Sequence, residues 1–337
     1  LICIFKIIQI LRSNILIKEQ FLKLFQIFLL ILMFIYIFWP YLWADPIINF
    51  YKAFINIGVH QVGIYNFFLG NYIPVEFVPW NYSFIWIAIT TPISYIILFL
   101  IGIGIFFKRI VNRLFKIDEK SVYNDLWRGD KEKIDILFFL NLVIPLVTII
   151  ILHSSIYTGW RHIFFLYPSI IFFTIYSIKI IRIYYIKNLV FFLSLSFLII
   201  SPTVLWMYKN HPFQYVYFNS IFKKNFNEYF DADYWGVTNY HALKYILNSN
   251  KEKNLFYVGI IGKGDLNISR SFLTIKEKEK IIITEDINKA EYLIDSYSRW
   301  DAMKISKNEL LNNNQFKNYY DIKINEVPIN SIYIRYF

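Results

Sequence analysis

Hydrophobic residues along this chain gather in long runs that exclude charge, unlike the short alternations of a soluble fold. Five such runs, 24–43, 84–107, 136–152, 163–178 and 189–208, contain no Asp, Glu, Lys or Arg. Each reads as a helix crossing a bilayer, whose apolar core takes about 20 residues. The third and fourth are short, but Lys179 can snorkel while Ile180 and Ile181 extend the fourth. Pro92, Pro145, Pro168 and Pro202 fall inside the runs and predict kinked helices in a bundle, where neighbours satisfy the carbonyls that proline leaves unpaired. After residue 208 the period changes. A helix is predicted over 239–247 with Thr238 as its cap, strands over 255–261, 281–284 and 292–297, and a closing hairpin from 320–324 and 331–336 joined across Pro328.

Charge orients these elements. Four Lys or Arg precede the first run, eight lie between the second and third, and Lys179, Arg182 and Lys187 separate the fourth from the fifth, whereas the alternate loops hold only Lys52 and Arg161. By the positive-inside rule the rich loops are cytoplasmic, so 44–83, 153–162 and everything after residue 208 are expected outside. The fold class is therefore a polytopic α-helical membrane protein, with about five spans, followed by a small extracytoplasmic α/β domain. The expected domains are a transmembrane region 1–208, whose outer loop 44–83 lies along the membrane surface, and an extracytoplasmic domain 209–337. The expected location is the plasma (inner) membrane of a bacterium, with membrane lipids as partners.

Composition changes this picture little. The chain is 57% hydrophobic, with mean hydropathy +0.42. The net charge of +11 would point to nucleic acid in a soluble protein, but here it is a topology signal, and no nucleic-acid partner is expected. Aromatic residues, 21% of the chain, are spread through apolar and polar stretches alike, as a base-composition bias would leave them. Cys3 is the only cysteine, which excludes an internal disulfide. The apolar stretch 1–5 is too short to span and reads as the tail of an earlier helix, so the sequence is expected to be the C-terminal part of a longer protein. A transporter would show repeated halves and mid-span charges, and neither is visible in this sequence.

Three constellations could carry chemistry. Tyr157, Thr158, Gly159, Trp160, Arg161 and His162 lie between the third and fourth runs, where a guanidinium can pair with a phosphate or simply anchor in the headgroup region. Asp231, Asp233, Tyr234 and Trp235 precede the helix of the outer domain; two carboxylates two residues apart can share a divalent cation or bind sugar hydroxyls beside the rings, or can form a turn that caps the helix. Asp45, His60, Glu76, Trp80 and Asn81 belong to the loop 44–83, and Asp45, where a helix leaves the membrane, is either a candidate general base or a solvated helix-end residue. Gly262, Lys263, Gly264 and Asp265 lack the spacing of a phosphate-binding loop and read as a turn.

Longer motifs carry a resemblance. Phe38-Trp39-Pro40-Tyr41-Leu42-Trp43-Ala44-Asp45-Pro46 is followed by Val78-Pro79-Trp80-Asn81-Tyr82, Ala88-Ile89-Thr90-Thr91-Pro92 and Gly159-Trp160-Arg161-His162. Then come His211-Pro212-Phe213-Gln214-Tyr215-Val216-Tyr217-Phe218-Asn219 and Asp233-Tyr234-Trp235-Gly236. In this order they resemble the later half of bacterial membrane glycosyltransferases of the C-type fold, akin to protein O-mannosyltransferases and lipid A aminoarabinose transferases. The resemblance implies sugar transfer from a polyprenyl-phosphate donor to an outer-face acceptor. Arg161, His162 and Tyr157 would contact the donor phosphate. It calls for no organic cofactor, although a divalent cation stays open. In the family the base is an acidic residue of the first outer loop, upstream of the part resembled here. The alternative is a non-enzymatic membrane protein whose outer domain binds a partner or an envelope polymer.

Overall fold

The computed structural model describes residues 17–58, 65–115, 127, 129–157, 159–222, 225–261, 265–297, 311 and 316–336. His60, Thr158, Gly262, Lys263 and Gly264, named above, lie outside these residues. Four described helical segments are long and apolar enough to cross a membrane: Ile93–Arg113, Asp130–Ile151, Arg161–Tyr184 and Leu189–Lys209. The first expected run forms a helix too, but its described apolar part, Leu22–Phe38, is shorter.

Helix α1 (Ile17–Phe38) stops before the expected end at residue 43 because Pro40 forces Trp39 out of the helical region, to φ −118° and ψ 85°. Helix α2 (Pro46–Gly58) follows, then a hairpin of β1 (Tyr65–Phe68) and β2 (Asn71–Pro74) inside the expected surface loop. The second run is not one kinked span. Helix α3 (Tyr82–Thr90) ends at Thr91, which precedes Pro92 and is extended, and α4 (Ile93–Phe115) begins anew. Helix α5 (Asp130–Ile151) starts six residues before the expected 136 because Asp130 and Glu132 suit a helix N-terminus. Helix α6 (Tyr167–Tyr184) is preceded by a 3-10 segment, Arg161–Leu166, and takes Pro168 in its first turn, where the missing N–H has no helical partner to lose. Helix α7 (Leu189–Lys209) matches its expected span, and none of its apolar window is buried; it meets the rest of its unit through Ser94, which donates to the Ile199 carbonyl, and through Trp206 against Tyr217.

The chain divides into two compact units, one of residues 1–62, 99–155 and 165–177 and one of 63–98, 156–164 and 178–337. In the first unit Phe106, Trp127, Ile136 and Phe173 form a buried core. Arg109 meets the buried Asp135 at 2.5 Å, and Arg113 binds Glu132 at 2.7 Å, which joins the polar end of α4 to the first turns of α5. Gly102 packs directly on the backbone of Phe173 in α6.

In the second unit the break at Thr91 is sealed by Asn219. Its side-chain amide donates to the carbonyls of Ala88 at 2.6 Å and Thr91 at 3.0 Å, and its backbone N–H donates to Ile89 at 2.8 Å. These are carbonyls that a helix C-terminus leaves without intrahelical partners. Beyond α7, the short helix α8 (Phe226–Tyr229) leads to α9 (Val237–Ser249), β3 (Phe256–Ile260), α10 (Leu266–Ser271), α11 (Ile275–Lys280) and β4 (Ile281–Ile283). The strands β5 (Tyr292–Asp295), β6 (Phe316–Ile324) and β7 (Val327–Arg335) complete a five-stranded sheet of order β4-β3-β5-β7-β6. The strands β4, β3 and β5 are parallel and β7 and β6 antiparallel. Ile246 and Leu243 of α9 pack on Val258, Ile294 and Ile332, while Leu293 and Tyr333 point to a second apolar layer, the alternation a strand imposes. The expected hairpin forms, but its turn is Asn325–Glu326, both at positive φ, and Pro328 sits inside β7.

Glu277 is one source of acid sensitivity. Glu277 accepts from Lys244 of α9 at 2.7 Å and from the Thr274 backbone at 3.0 Å, and these bonds, Lys244 first, hold its carboxyl down at about 2 from the usual 4.5. A depressed carboxylate stabilises the fold fully above its unfolded value and loses that contribution as pH falls through the folded one. The unfolding temperature is therefore expected to drop between about pH 4.5 and 2 in part through this residue, and Glu277→Gln should flatten that limb in a pH series of thermal melts.

Candidate functional site

Residues 156, 157 and 159–162 carry the site, and two side chains clamp Ile156 and Gly159. Asn66 of β1 donates to the Ile156 carbonyl at 2.8 Å, and the backbone N–H of Gly159 donates to the Tyr82 hydroxyl at 3.1 Å. The Tyr82 hydroxyl donates in turn to Asn66 Oδ1 at 3.2 Å. Gly159 adopts φ +70°, a left-handed conformation that glycine takes without strain, and this turn directs the chain from the clamp into the 3-10 segment. Tyr82 is fully buried among Phe68 and Trp86, and burial pushes its phenol well above the ordinary tyrosine value, so the O–H stays intact as a donor.

Arg161 is half-buried between two rings, with its guanidinium carbon 4.7 Å from the centre of Tyr157 and 5.1 Å from that of Trp235. Its Nε faces His162 Nε2 at 3.4 Å, and the Tyr157 and His162 rings lie 4.5 Å apart. The structure thus brings together Tyr157, Arg161 and His162 with Trp235, which the sequence left in a separate constellation. Trp235 is 58% exposed and Tyr234 adjoins it at 5.6 Å, leaving an aromatic wall open beside the cation.

Arg161 differs from the other described arginines in its partners. Arg109 and Arg113 bind carboxylates, and Arg182, Arg270 and Arg335 bind backbone carbonyls. Among the described residues, Arg161 hydrogen-bonds only to His162. A guanidinium flanked by rings and without an anionic partner is suited to take an anion in the plane of its N–H groups, since the π faces above and below favour the cation without consuming its donors.

The two carboxylates of the Asp231-Ala232-Asp233 run do not face that plane together. Asp231 is buried and accepts from the backbone N–H of Phe67 at 3.4 Å. Asp233 is fully buried at the N-terminus of α9, where it accepts from Val237 N at 3.1 Å, Thr238 N at 3.0 Å, the Thr238 hydroxyl and the Tyr215 hydroxyl. Burial pushes its carboxyl up while those four bonds pull it down. The helix is therefore capped from Asp233, and Thr238, the expected cap, lies inside the helix. Asp45 belongs to the other compact unit; its Oδ1 accepts from Ile48 N at 3.2 Å, so it caps α2. Glu76 is exposed in a 3-10 turn, and Trp80 is 68% exposed against Phe84.

Sequence reasoning did not single out Tyr82, Asn66, Tyr215 or Asn219 as side chains that shape this region. Their partners are remote in the chain, 77 residues away for Tyr82 and Gly159, and only the appearance of Tyr82, Tyr215 and Asn219 within the longer motifs marks them. No protein-family model matches the chain, and no curated protein or solved structure matches it.

Proposed function

We propose that this chain, alone or as part of a longer protein, transfers a sugar from a polyprenyl-phosphate donor to an acceptor on the extracytoplasmic face of a bacterial plasma membrane. Arg161 takes the donor phosphate, with Tyr157 and His162 beside it and Trp235 and Tyr234 offering their rings to the sugar. In the reaction the acceptor oxygen bonds to the anomeric carbon as the bond from that carbon to the phosphate oxygen breaks. The electron pair departs with the lipid phosphate, and the acceptor proton passes to a base. A fixed cation lowers the barrier by stabilising the charge that grows on the leaving phosphate. The observation that carries this reading is the anion-free guanidinium of Arg161 between Tyr157 and Trp235. The resemblance of the motifs around it supports the substrate class.

The test is release of polyprenyl phosphate from a labelled polyprenyl-phosphate hexose by the complete reading frame in membrane vesicles; no release with any hexose or pentose donor would overturn the reading. The orientation has its own check. Alkaline phosphatase fused after Asn250 is expected to be active and green fluorescent protein at the same point dark, and the reverse pattern would place the Arg161 site on the cytoplasmic side.

A further inference from the structure

We propose that Tyr82 is the positioning residue of the Arg161 anion site, an inference that rests on the phosphate-binding reading of Arg161. Ile156 and Gly159 are gripped by one connected pair, Asn66 on the Ile156 carbonyl and Tyr82 on the Gly159 amide. The Tyr82 hydroxyl is the centre of this grip, because it receives the Gly159 N–H and donates to the Asn66 amide oxygen that keeps Asn66 oriented. Tyr157 lies between the gripped ends and Arg161 two residues after them, so both members of the ring-and-guanidinium contact depend on where this segment is held. Tyr82 acts on the site through the backbone it holds and not through the ligand. Its effect on binding is through the fraction of molecules in which Tyr157, Arg161 and Trp235 are stacked. When that fraction falls, the apparent dissociation constant rises in inverse proportion.

Removing one hydroxyl isolates this role. Tyr82→Phe keeps the ring against Phe68 and Trp86 but leaves the Gly159 amide and the Asn66 oxygen without this partner. The full chain in lipid nanodiscs is titrated with farnesyl phosphate, and hydrogen exchange is followed over the peptide 156–162 without ligand. Tyr82→Phe is expected to raise the dissociation constant roughly tenfold and to speed exchange of that peptide, as loss of a buried hydrogen bond would. Arg161→Ala is expected to raise the dissociation constant about ten- to a hundredfold. Ile246→Val, a core truncation in α9, controls for general loss of stability and is expected to change neither readout. Unchanged affinity and exchange in Tyr82→Phe, with binding weakened in Arg161→Ala, would overturn the inference and leave the phosphate reading standing. A rise in Ile246→Val equal to that in Tyr82→Phe would overturn it too. Equal affinity in Arg161→Ala and the unaltered chain would remove the phosphate reading, and this inference with it.

Discussion

On the proposed function, Arg161→Ala is expected to lower sugar transfer by about ten- to a hundredfold, because a charge-assisted hydrogen bond to a leaving phosphate contributes roughly 1.5–3 kcal/mol. Arg161→Lys should keep only a small part of the activity. An ammonium carries the charge but lacks the planar face that lies against Tyr157 and Trp235 and the fork that meets two phosphate oxygens at once. An interfacial anchor gives a different pattern, since lysine snorkels as well as arginine and activity would follow the amount of inserted protein. Donor binding and turnover, normalised to folded protein in the membrane, separate the two. Unchanged normalised turnover in Arg161→Ala would take this residue out of the site.

The second large effect is expected at a glycine. A β-carbon on Gly102 would fall inside contact distance of the Phe173 carbonyl oxygen and 2.9 Å from its carbonyl carbon, atoms of helix backbone that cannot swing aside. Gly102→Ala must therefore push α4 and α6 apart, and overpacking of this kind costs roughly 1–3 kcal/mol or more. Gly104, two residues on, has no atom within 4 Å of the same position, and Gly104→Ala should be neutral or slightly stabilising, as alanine is the better helix former. Thermal unfolding of the two variants in one detergent measures the difference directly. Equal melting temperatures would show that the two helices do not meet at Gly102.

Helices whose signal is summed over about 20 apolar residues could be read from the chain, and α7 begins at the residue the pattern marks and ends one beyond it. The errors arise where a partner from another part of the chain decides. Residues 130–135 read as a charged loop, but in the fold Glu132 and Asp135 join the helix with Arg113 and Arg109 as partners. Pro92 was expected to kink a continuous span, and instead the helix ends there, with carbonyls taken up by Asn219. The closing hairpin was legible as two alternating runs, though its turn was placed at Pro328 and not at Asn325 and Glu326. Within the candidate site, Tyr157, Arg161 and His162 are sequence neighbours and could be seen together. Trp235 reaches them only through tertiary folding, and the carboxylate of Asp233, which local spacing offered as a ligand group, is occupied by the amides of its own helix.

The seal made by Asn219 also bears on the order of synthesis. Residues 84–107 leave the ribosome as an unbroken apolar run, and Asn219, which accommodates the break at Thr91, follows 128 residues later. Until then the carbonyls of Ala88 and Thr91 lack this partner, so a nascent chain truncated before residue 219 presents a helix end that must stay hydrated or continue as helix despite Pro92. The second compact unit thus acquires its final form only once the segment after α7 has emerged, which makes maturation of the region around Tyr82 a late event.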